Sequence, residues 1–395
     1  MDQRDAWIAL ASVDGVGEET LGALLAAFGS AGATFEAVRD GRFDAWRRER
    51  RELDGRPPMV TKAVDELRAA AADPKKLLDQ IARHGLWTTT VLDADYPARL
   101  RDLPGPPAVI HGHGDRTALQ RARAVGVVGT RRPTPVGRAL TARICARLVE
   151  CGATVVSGLA VGIDGAAHAA TLDHGGVTVG VIGGGHRHPG PRAHQRLRNE
   201  VVQNGGAVIS EHHPDAHATR GTFPRRNRII AALSDALIIV EAPHKSGALS
   251  TASHALELGR PVLVAPGRVG DWSMAGALAL LRDTPARPLV GLDEMVADLG
   301  YLAAPPNVTE AADQPATSSR EGALAMLGAA ERAVARRLCE GPAGLDLLVA
   351  ETGLGPAVVS SAVTFLLMRG WAHAVGPAYV CAGALAQESG TARPR

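Results

Sequence analysis

The side chains best suited to chemistry in this chain lie together between residues 220 and 228, in the segment RGTFPRRNR. Four arginines and one asparagine surround one of the five phenylalanines of the protein. Guanidinium groups bind phosphate through paired hydrogen bonds, and an aromatic ring stacks on an unpaired base. The pattern predicts contact with single-stranded nucleic acid through Arg220, Phe223, Arg225, Arg226, Asn227 and Arg228. In the alternative interpretation, the ring packs beneath a sheet and the arginines form salt bridges with Glu211 and Glu241.

Positive charge is concentrated around this segment. The net charge of the whole chain is only +2. Residues 121–230 nevertheless hold 15 basic and 6 acidic side chains, and all 15 of the basic ones are arginines. A genome rich in arginine codons would explain the preference over lysine, but it would not explain the scarcity of acids in this one part. The distribution favours a polyanionic partner over a solvated basic surface.

Six apolar runs position these side chains, and each run ends in small or polar residues. They occupy residues 124–130, 154–160, 177–185, 206–212, 236–242 and 261–267. Nearly continuous Val/Ile runs that alternate with helix-length segments are typical of a parallel sheet buried on both faces. The sequence therefore predicts an α/β fold with a doubly wound, mostly parallel, extended Rossmann-like sheet.

The loops that follow these runs are rich in glycine and serine, and several of them begin helices. In an open parallel sheet, such loops meet at the carboxyl ends of the strands and form the ligand crevice. Small residues allow an anion to approach the backbone, and helix amino termini offer unpaired N–H groups. The predicted phosphate contacts in these loops are Gly129, Thr130, Arg131, Arg132, Ser157, Gly158, Ser246 and Gly247.

The sequence lacks the motifs of several common enzymes. It has no GxxxxGK[ST], GxSxG or HExxH motif, and the first loop, GVVGTRRPTPVG, lacks the GxGxxG spacing of a dinucleotide site. Asp164 and His168, four residues apart, could pair as a base and its orienting group, although such pairs more often brace a helix. The histidines at 186 and 188, or at 212, 213 and 217, match no established metal site. We predict no catalytic residue, no metal site and no cofactor.

The composition also changes outside the central α/β part of the chain. We predict a helical domain of helix-hairpin-helix or SAM-like type at 1–60, a connecting segment at 61–120, the central domain at 121–300, a linker at 301–322, a winged-helix-like domain at 323–383 and a tail at 384–395. Within the connecting segment we expect a helical stretch around Lys75–His84, followed by a largely irregular Pro-rich passage at 93–115. There is no CxxC pair, no signal peptide and no apolar stretch long enough for a membrane span. These features predict a soluble cytoplasmic protein without a membrane partner.

The succession GTRRPTPVG, SGLAVGIDGAAH, ISEHHP, FPRRNRIIAALSDALIIVEA and KSGALSTASHALELGRPVLVAPG resembles the DNA processing protein A family over residues 88–270. The resemblance implies a non-enzymatic, cytoplasmic protein of natural transformation and recombination. Such a protein protects incoming single-stranded DNA, works with single-strand binding protein, helps to load RecA and forms a homodimer. The resemblance also implies DNA contacts at Arg131, Arg220 and Phe223. It matches Asn227 and Arg228, and Ser246 and Gly247, to two family signatures.

Three features depart from or compete with this interpretation. After the third strand the family carries a GLD…YP…N pattern, whereas this chain has GGGHRHPGPRAHQRL, with His194 near the expected asparagine. The alternative function is a nucleotide-processing enzyme of phosphoribohydrolase type, whose PGGxGT loop is only loosely echoed by SGALSTASHALELG. The predicted recognition helix of the winged-helix-like domain contains a single cation, Arg369, which favours a protein-contact or accessory role over duplex binding.

Overall fold

The computed structural model describes residues 2–55, 57–188, 190, 192–218, 221–300, 320, 324, 327–341, 343–368, 371–375, 378–381 and 385. The chain divides into two compact units, Met1–Pro306 and Asn307–Arg395. In the described part of the first unit, the helices are α1 (Gln3–Ala11), α2 (Glu18–Phe28), α3 (Ala31–Asp40), α4 (Arg42–Asp54), α5 (Thr61–Ala72), α6 (Pro74–Arg83), α7 (Ala98–Arg101), α8 (Pro135–Glu150), α9 (Ile163–Asp173), α10 (Gln195–Gln203), α11 (Thr222–Leu233), α12 (Gly247–Glu257), α13 (Ala275–Asp283) and α14 (Leu292–Asp298). Its strands are β1 (Trp87–Thr90), β2 (Val109–Gly114), β3 (Ala124–Val128), β4 (Thr154–Ser157), β5 (Thr178–Val181), β6 (Ala207–Ser210), β7 (Ala236–Ile239), β8 (Val262–Val264) and β9 (Arg287–Pro288).

The first six helices pack around a core of their own. Leu10, Leu24, Phe35, Phe43 and Leu67 are fully buried within it. Leu67 belongs to α5, so helical packing continues past residue 60, where the sequence analysis places the end of the first domain. The apolar side chains of α5 recur at helical spacing and therefore face the same core as the earlier helices.

The nine strands form one sheet in the order β1-β2-β6-β5-β4-β3-β7-β8-β9. All six predicted strands are present as β3 to β8, and every neighbouring pair among them is parallel. The predicted mostly parallel α/β architecture is confirmed. At one edge, β1 and β2 add an antiparallel extension, and β2 lies within the Pro-rich passage expected to be largely irregular. Their short polar sequences, WTTT and VIHGHG, do not show the apolar run of a central strand.

The direction of chain winding reverses between β3 and β7. The strands from β3 to β6 are joined by α8, α9 and α10, and the chain then returns through α11 to β7 on the other side of β3. Side chains of β3 alternate between two cores, since Val125 and Val127 lie in one and Val128 lies in the other. The carboxyl ends of β3 and β7 therefore form the switch point, the usual ligand crevice of a doubly wound sheet.

The second unit is described only in part. Its described residues form helices α15 (Ala329–Glu340), α16 (Leu345–Thr352) and α17 (Pro356–Met368) and strands β10 (Ala343–Gly344), β11 (Ala372–Val375) and β12 (Ala378–Cys381), with sheet order β10-β12-β11. Val334, Leu348 and Val359 are fully buried in its core. The winged-helix interpretation stays a prediction, and most of the predicted linker and tail, like Arg369, lies outside the described residues.

Two further sequence expectations concern bilayers and disulfides. In the part of the chain that the structure describes, no single helix has both the length and the apolar character needed to cross a bilayer. Two bent helix pairs reach that length and composition only together, α2 with α3 and Leu345–Thr352 with Pro356–Leu367. The thiols of Cys145, Cys151, Cys339 and Cys381 are unpaired.

Candidate nucleic-acid interface

Helix α11 carries the RRNR segment at the carboxyl edge of the sheet. Successive side chains of a helix point about 100° apart, so four consecutive residues cannot all face one ligand. Arg225 is exposed, Arg226 and Asn227 are buried, and only 13% of the Arg228 side chain is exposed. The structure therefore differs from the expectation that this whole segment lines one phosphate-binding surface.

Arg226 joins the loops that follow β4 and β5. It is only 4% exposed, and its Nη1 donates hydrogen bonds to the carbonyl oxygens of Gly158 and Val181. Gly158 is needed at this position because a Cβ atom would lie 2.1 Å from Nη1 of Arg226. Arg226 positions the two loops, and its guanidinium does not face solvent.

Arg228 joins the sheet to the N-terminal helices. Its Nη1 donates to the carbonyl oxygen of Gly105 at 2.7 Å, and its Nη2 bonds Oε2 of Glu211 at 2.6 Å and also Oε1 of Glu18. Burial raises the pKa of the Glu18 carboxyl, and the Arg228 charge lowers it. The alternative interpretation is confirmed for the salt bridge between Arg228 and Glu211. Arg228 is thus already engaged with two carboxylates.

The first loop of the crevice follows β3 and contains two exposed arginines, Arg131 and Arg132. The backbone N–H of Thr130 donates to the carbonyl oxygen of Glu241 at 2.7 Å, which ties this loop to the end of β7. A Cβ atom at Gly129 would lie 2.9 Å from the same oxygen, so the close approach of the two loops requires glycine. The two loops at the switch point therefore form one rigid edge, from which the two arginines project.

The buried carboxylate of Glu241 occupies the amino terminus of α8. It accepts hydrogen bonds from the backbone N–H of Thr134 at 2.9 Å and from Oγ1 of Thr134 at 2.5 Å. A Cβ atom at Gly137 would lie 2.4 Å from the carboxylate carbon, so the chain is shaped around this group. In dinucleotide-binding enzymes the equivalent helix terminus receives the pyrophosphate. Here a carboxylate of the protein takes that position, and it does not pair with the arginines of α11.

The serine and glycine loops contribute in different ways. Ser157 is fully buried, and its Oγ donates to the carbonyl oxygen of Val127 at 2.7 Å. Ser246 is half-buried and caps α12 by accepting a hydrogen bond from the N–H of Ala248. Gly247 is exposed, and its carbonyl oxygen accepts a hydrogen bond from Nδ2 of Asn227 at 3.1 Å. Ser157 and Asn227 therefore hold the loops in place, and the surface at the start of α12 is left accessible.

Two residues with left-handed backbone lie in these loops. In the described chain, the non-glycine residues with positive φ are Leu159, at 52°, and Lys245, at 61°. Leu159 follows β4 and is buried, whereas Lys245 follows β7 and is exposed. Such strain is typical of loops that the surrounding structure holds for a functional reason. Lys245 adds a cation to the carboxyl edge of the sheet, next to Ser246.

Asp164 and His168 brace the loop after β4. Nδ1 of His168 bonds Oγ1 of Thr178 at 2.7 Å, and Nε2 accepts the N–H of Leu159 at 3.4 Å. Burial raises the pKa of Asp164, while the Arg226 charge lowers it, as do the backbone N–H groups of Ala160, Gly158 and Gly129. Both side chains contact structural groups, in keeping with the bracing role that the sequence analysis favoured over catalysis.

Buried histidines predict acid sensitivity of the fold. His111 and His168 are fully buried, and burial lowers the pKa of each from 6.5 to about 3. The unfolded chain therefore binds protons first, so the stability from each neutral ring is present above pH 6.5 and is lost as the pH falls toward 3. We expect the free energy of unfolding to fall by about 2 kcal/mol per histidine between pH 6.5 and 5. Urea titrations at several pH values measure this slope.

Substitutions test which histidine produces the pH dependence of the free energy of unfolding. His111→Gln should remove its own share of the pH dependence, whereas the exposed His244→Gln should retain the full dependence. An unchanged slope in His111→Gln would contradict the assignment to the buried ring.

The exposed groups at the carboxyl edge are fewer than the sequence predicts. Arg131 and Arg132 follow β3, and Lys245 and Gly247 follow the neighbouring strand β7. Arg225 is exposed and lies beside Gly17 of the N-terminal helices. A Cβ atom added to Gly17 would lie 3.4 Å from Nη2 of Arg225. Arg220 and the side chain of Phe223 lie outside the described residues. Within the described chain, no group of three His, Cys, Asp or Glu side chains is arranged to hold a metal ion.

The sequence analysis missed Lys245 as a candidate contact and did not anticipate that Glu241 bonds Thr134, the N-cap residue of α8. A signal was available for each. Glu241 is an acid directly after a fully apolar strand, and Lys245 immediately precedes the Ser-Gly pair that begins α12. By contrast, the pairing of Glu18 with Arg228 joins residues 210 positions apart, and no local pattern could indicate it.

Comparison with known proteins identifies the family of the central α/β part of the chain. A family model for DNA recombination-mediator protein A matches residues 87–300. The chain belongs to the DNA recombination-mediator protein A family. The resemblance stated from the sequence motifs is confirmed, and the chain is a member of a family of DNA-processing recombination mediators.

Relatives of this mediator family match more than half of the chain. The DNA processing protein DprA of Bacillus subtilis is 37% identical over 235 residues, which cover 57% of this chain and 79% of the relative. The putative DNA processing protein DprA of Mycobacterium tuberculosis H37Rv is 36% identical over 326 residues, which cover 79% of this chain and 80% of the relative. The X-ray structure of DprA from Streptococcus pneumoniae has a TM-score of 0.55 at 32% identity and covers 60% of this chain and 82% of that one.

Proposed function

We propose that this recombination mediator binds single-stranded DNA along the carboxyl edge of its sheet and does not catalyse a reaction. Arg131 and Arg132 contact phosphates at the switch point, and Lys245 and Gly247 extend the path past β7. Arg220 and Phe223 contribute a further cation and the ring on which a base stacks. Arg226, Asn227 and Arg228 position these loops instead of contacting DNA.

The observation that carries the proposal is the coincidence of the basic part of the chain with the switch point of the sheet. The segment with 15 arginines and 6 acids supplies the loops after β3, β4 and β5 and the start of α11. Exposed arginines at this edge can follow a phosphate backbone, and a neighbouring ring suits unpaired bases better than a stacked duplex. Gly247, whose Cα faces open space, leaves room for a backbone phosphate to approach.

The position of Glu241 favours a binding protein over a nucleotide-processing enzyme. Its carboxylate bonds Thr134, the N-cap residue of α8, at the place where a mononucleotide phosphate would otherwise meet the helix amino terminus. A second negative charge at that point is unfavourable, so the phosphates must run along the outside of the loop. Asp164 and His168, the strongest acid–base pair in the sequence, are buried in structural roles.

Further parts of the proposal follow from family membership. We propose that the protein acts in the cytoplasm during natural transformation and recombination, protects incoming strands, helps to load RecA and works alongside single-strand binding protein. We also propose that it forms a homodimer and that a winged-helix-like second unit makes protein contacts. Free Cys145, Cys151, Cys339 and Cys381 are consistent with a reducing compartment.

The length of the DNA separates this function from the enzymatic alternative. We expect affinity for oligothymidylates to rise steeply between about 5 and 40 nucleotides, because a groove gains one contact with each phosphate it reaches. Thymidine monophosphate should not compete. Fluorescence anisotropy at roughly 50 and 200 mM salt should give a slope of about 0.7 per contacted phosphate.

A mononucleotide that competes as well as a long oligomer would support the enzyme and contradict the groove. A duplex of the same sequence serves as the control, since its bases are already stacked and should gain little from the ring.

A further inference from the structure

A basic pocket lies near the end of the sheet that carries β1 and β2. It has a volume of about 220 Å³ and is bounded by β2, β6, α10 and the loop after β5. For comparison, a water molecule occupies about 30 Å³ in the liquid. The polar groups that matter in this pocket, called here the α10 pocket, are His84, His113, His186, Gln195, Arg198 and Asn199. None of the described residues that line it is acidic.

Arg198 is the unusual member of the α10 pocket. Its Nη1 is buried, and within the described part of the chain it has no hydrogen-bond partner. Burial lowers the pKa of this guanidinium. Two residues earlier on the same helix, Arg196 is exposed and bonds Glu200 at 2.7 Å, which is the ordinary arrangement for a surface arginine. The Arg198 side chain as a whole is half-buried, and its buried Nη1 has lost contact with water without gaining a partner, a loss that an anion in the pocket would offset.

The groups around Arg198 leave its charge uncompensated. Nε2 of His186 donates to the carbonyl oxygen of His111 at 3.0 Å. Burial lowers the pKa of His186 to about 4, and the charges of His113, His84 and Arg198 act in the same direction. The acid at the margin, Asp215, already bonds Arg187 at 3.0 Å and lies 3.8 Å from His84. It is therefore not placed to neutralise Arg198.

We infer that the α10 pocket binds a phosphate group, with Arg198 as its principal ligand. The donors that can face an anion are Arg198, Gln195 and Asn199 on α10 and His113 on β2, so they can serve several oxygens of a tetrahedral anion. This pocket lies in the part of the chain where the sequence departs from the family pattern, GGGHRHPGPRAHQRL. The phosphate comes either from a DNA strand or from a free anion.

Calorimetric titration of the full chain with inorganic phosphate tests the site, with ionic strength held constant by chloride. We expect wild type to bind phosphate and Arg198→Gln to bind it at least about tenfold more weakly. Arg196→Gln, on the same helix, should bind as wild type does. Without phosphate, Arg198→Gln should unfold at the wild-type temperature or above it, because the variant lacks the buried Nη1 that has no partner. This result would show that its loss of binding does not come from misfolding.

The inference is overturned if wild type does not bind phosphate, or if Arg198→Gln binds it as tightly as wild type. A parallel titration with oligothymidylates identifies the source. If a DNA phosphate fills the pocket, Arg198→Gln weakens binding of long strands but not of short ones, and phosphate competes with the long strands. If a free anion fills it, DNA affinity is unchanged in Arg198→Gln. Phosphate binding that depends on Arg198 would stand even if the wild-type protein failed to bind DNA.

Discussion

Single-strand affinity is expected to fall roughly 10- to 100-fold when Arg131 is replaced with alanine, because a charge-assisted contact to phosphate is lost. The salt dependence should also become shallower, by about 0.7 in the slope of log K against log salt. Phe223→Ala should lower affinity by a similar factor through lost stacking, without changing that slope. Arg220→Ala should behave like Arg131→Ala. Fluorescence anisotropy at several salt concentrations measures both quantities.

Arg143→Ala is the matched control for these variants. Arg143 is an exposed arginine of α8, about 12 Å along the helix from its first residue, and it belongs to the same basic part of the chain. Its replacement should leave affinity within about twofold of wild type, since distant charges are screened at physiological salt. Equal losses in Arg143→Ala and Arg131→Ala would indicate diffuse attraction to net charge. Unchanged affinity in all of the crevice variants would refute the assigned site.

A large loss of stability is expected when Arg226 is replaced with methionine. The change retains much of the side-chain volume but removes the donor to the carbonyl oxygens of Gly158 and Val181 and the positive charge near Asp164. Removing one member of such a buried network costs about 3–5 kcal/mol. The midpoint of thermal unfolding should fall by roughly 6–15 °C, as measured by circular dichroism or calorimetry.

The neighbouring residue supplies the control for this prediction. Arg225 precedes Arg226 on α11 but is exposed, so Arg225→Met should change the midpoint by no more than about 1–2 °C. Its effect should appear in DNA affinity instead. If the two variants lost stability equally, or if Arg226→Met melted with wild type, the positioning role of Arg226 would be wrong.

These two predictions give different roles to arginines that are close together in sequence. Arg226 and Arg228 hold the loops and the N-terminal helices against the sheet, and they do so with most of their surface buried. Arg131, Arg132 and Arg225 remain exposed around that rigid frame. A frame of this kind lowers the entropic cost of ordering the loops when a strand binds.

The sequence by itself determined the central architecture and the family. Runs such as ALIIV and AVGVV are apolar along their whole length, as expected of a strand buried on both faces, so β3 to β8 could be predicted in order. The charge of residues 121–230 and the motifs around GTRRPTPVG and RRNRII likewise needed no coordinates. By contrast, β1 and β2 could not be predicted, because their pairing partner decides their structure.

The tertiary structure alone decided which cations are available. The identity of four residues in RRNR does not specify their directions, because these depend on where α11 begins and on what packs around it. Arg228 meets Glu18 through a fold that brings together residues far apart in sequence, and Arg226 reaches carbonyl oxygens from two other strands. Which charged groups pair depends on their distance in space, whereas a sequence gives only their separation along the chain.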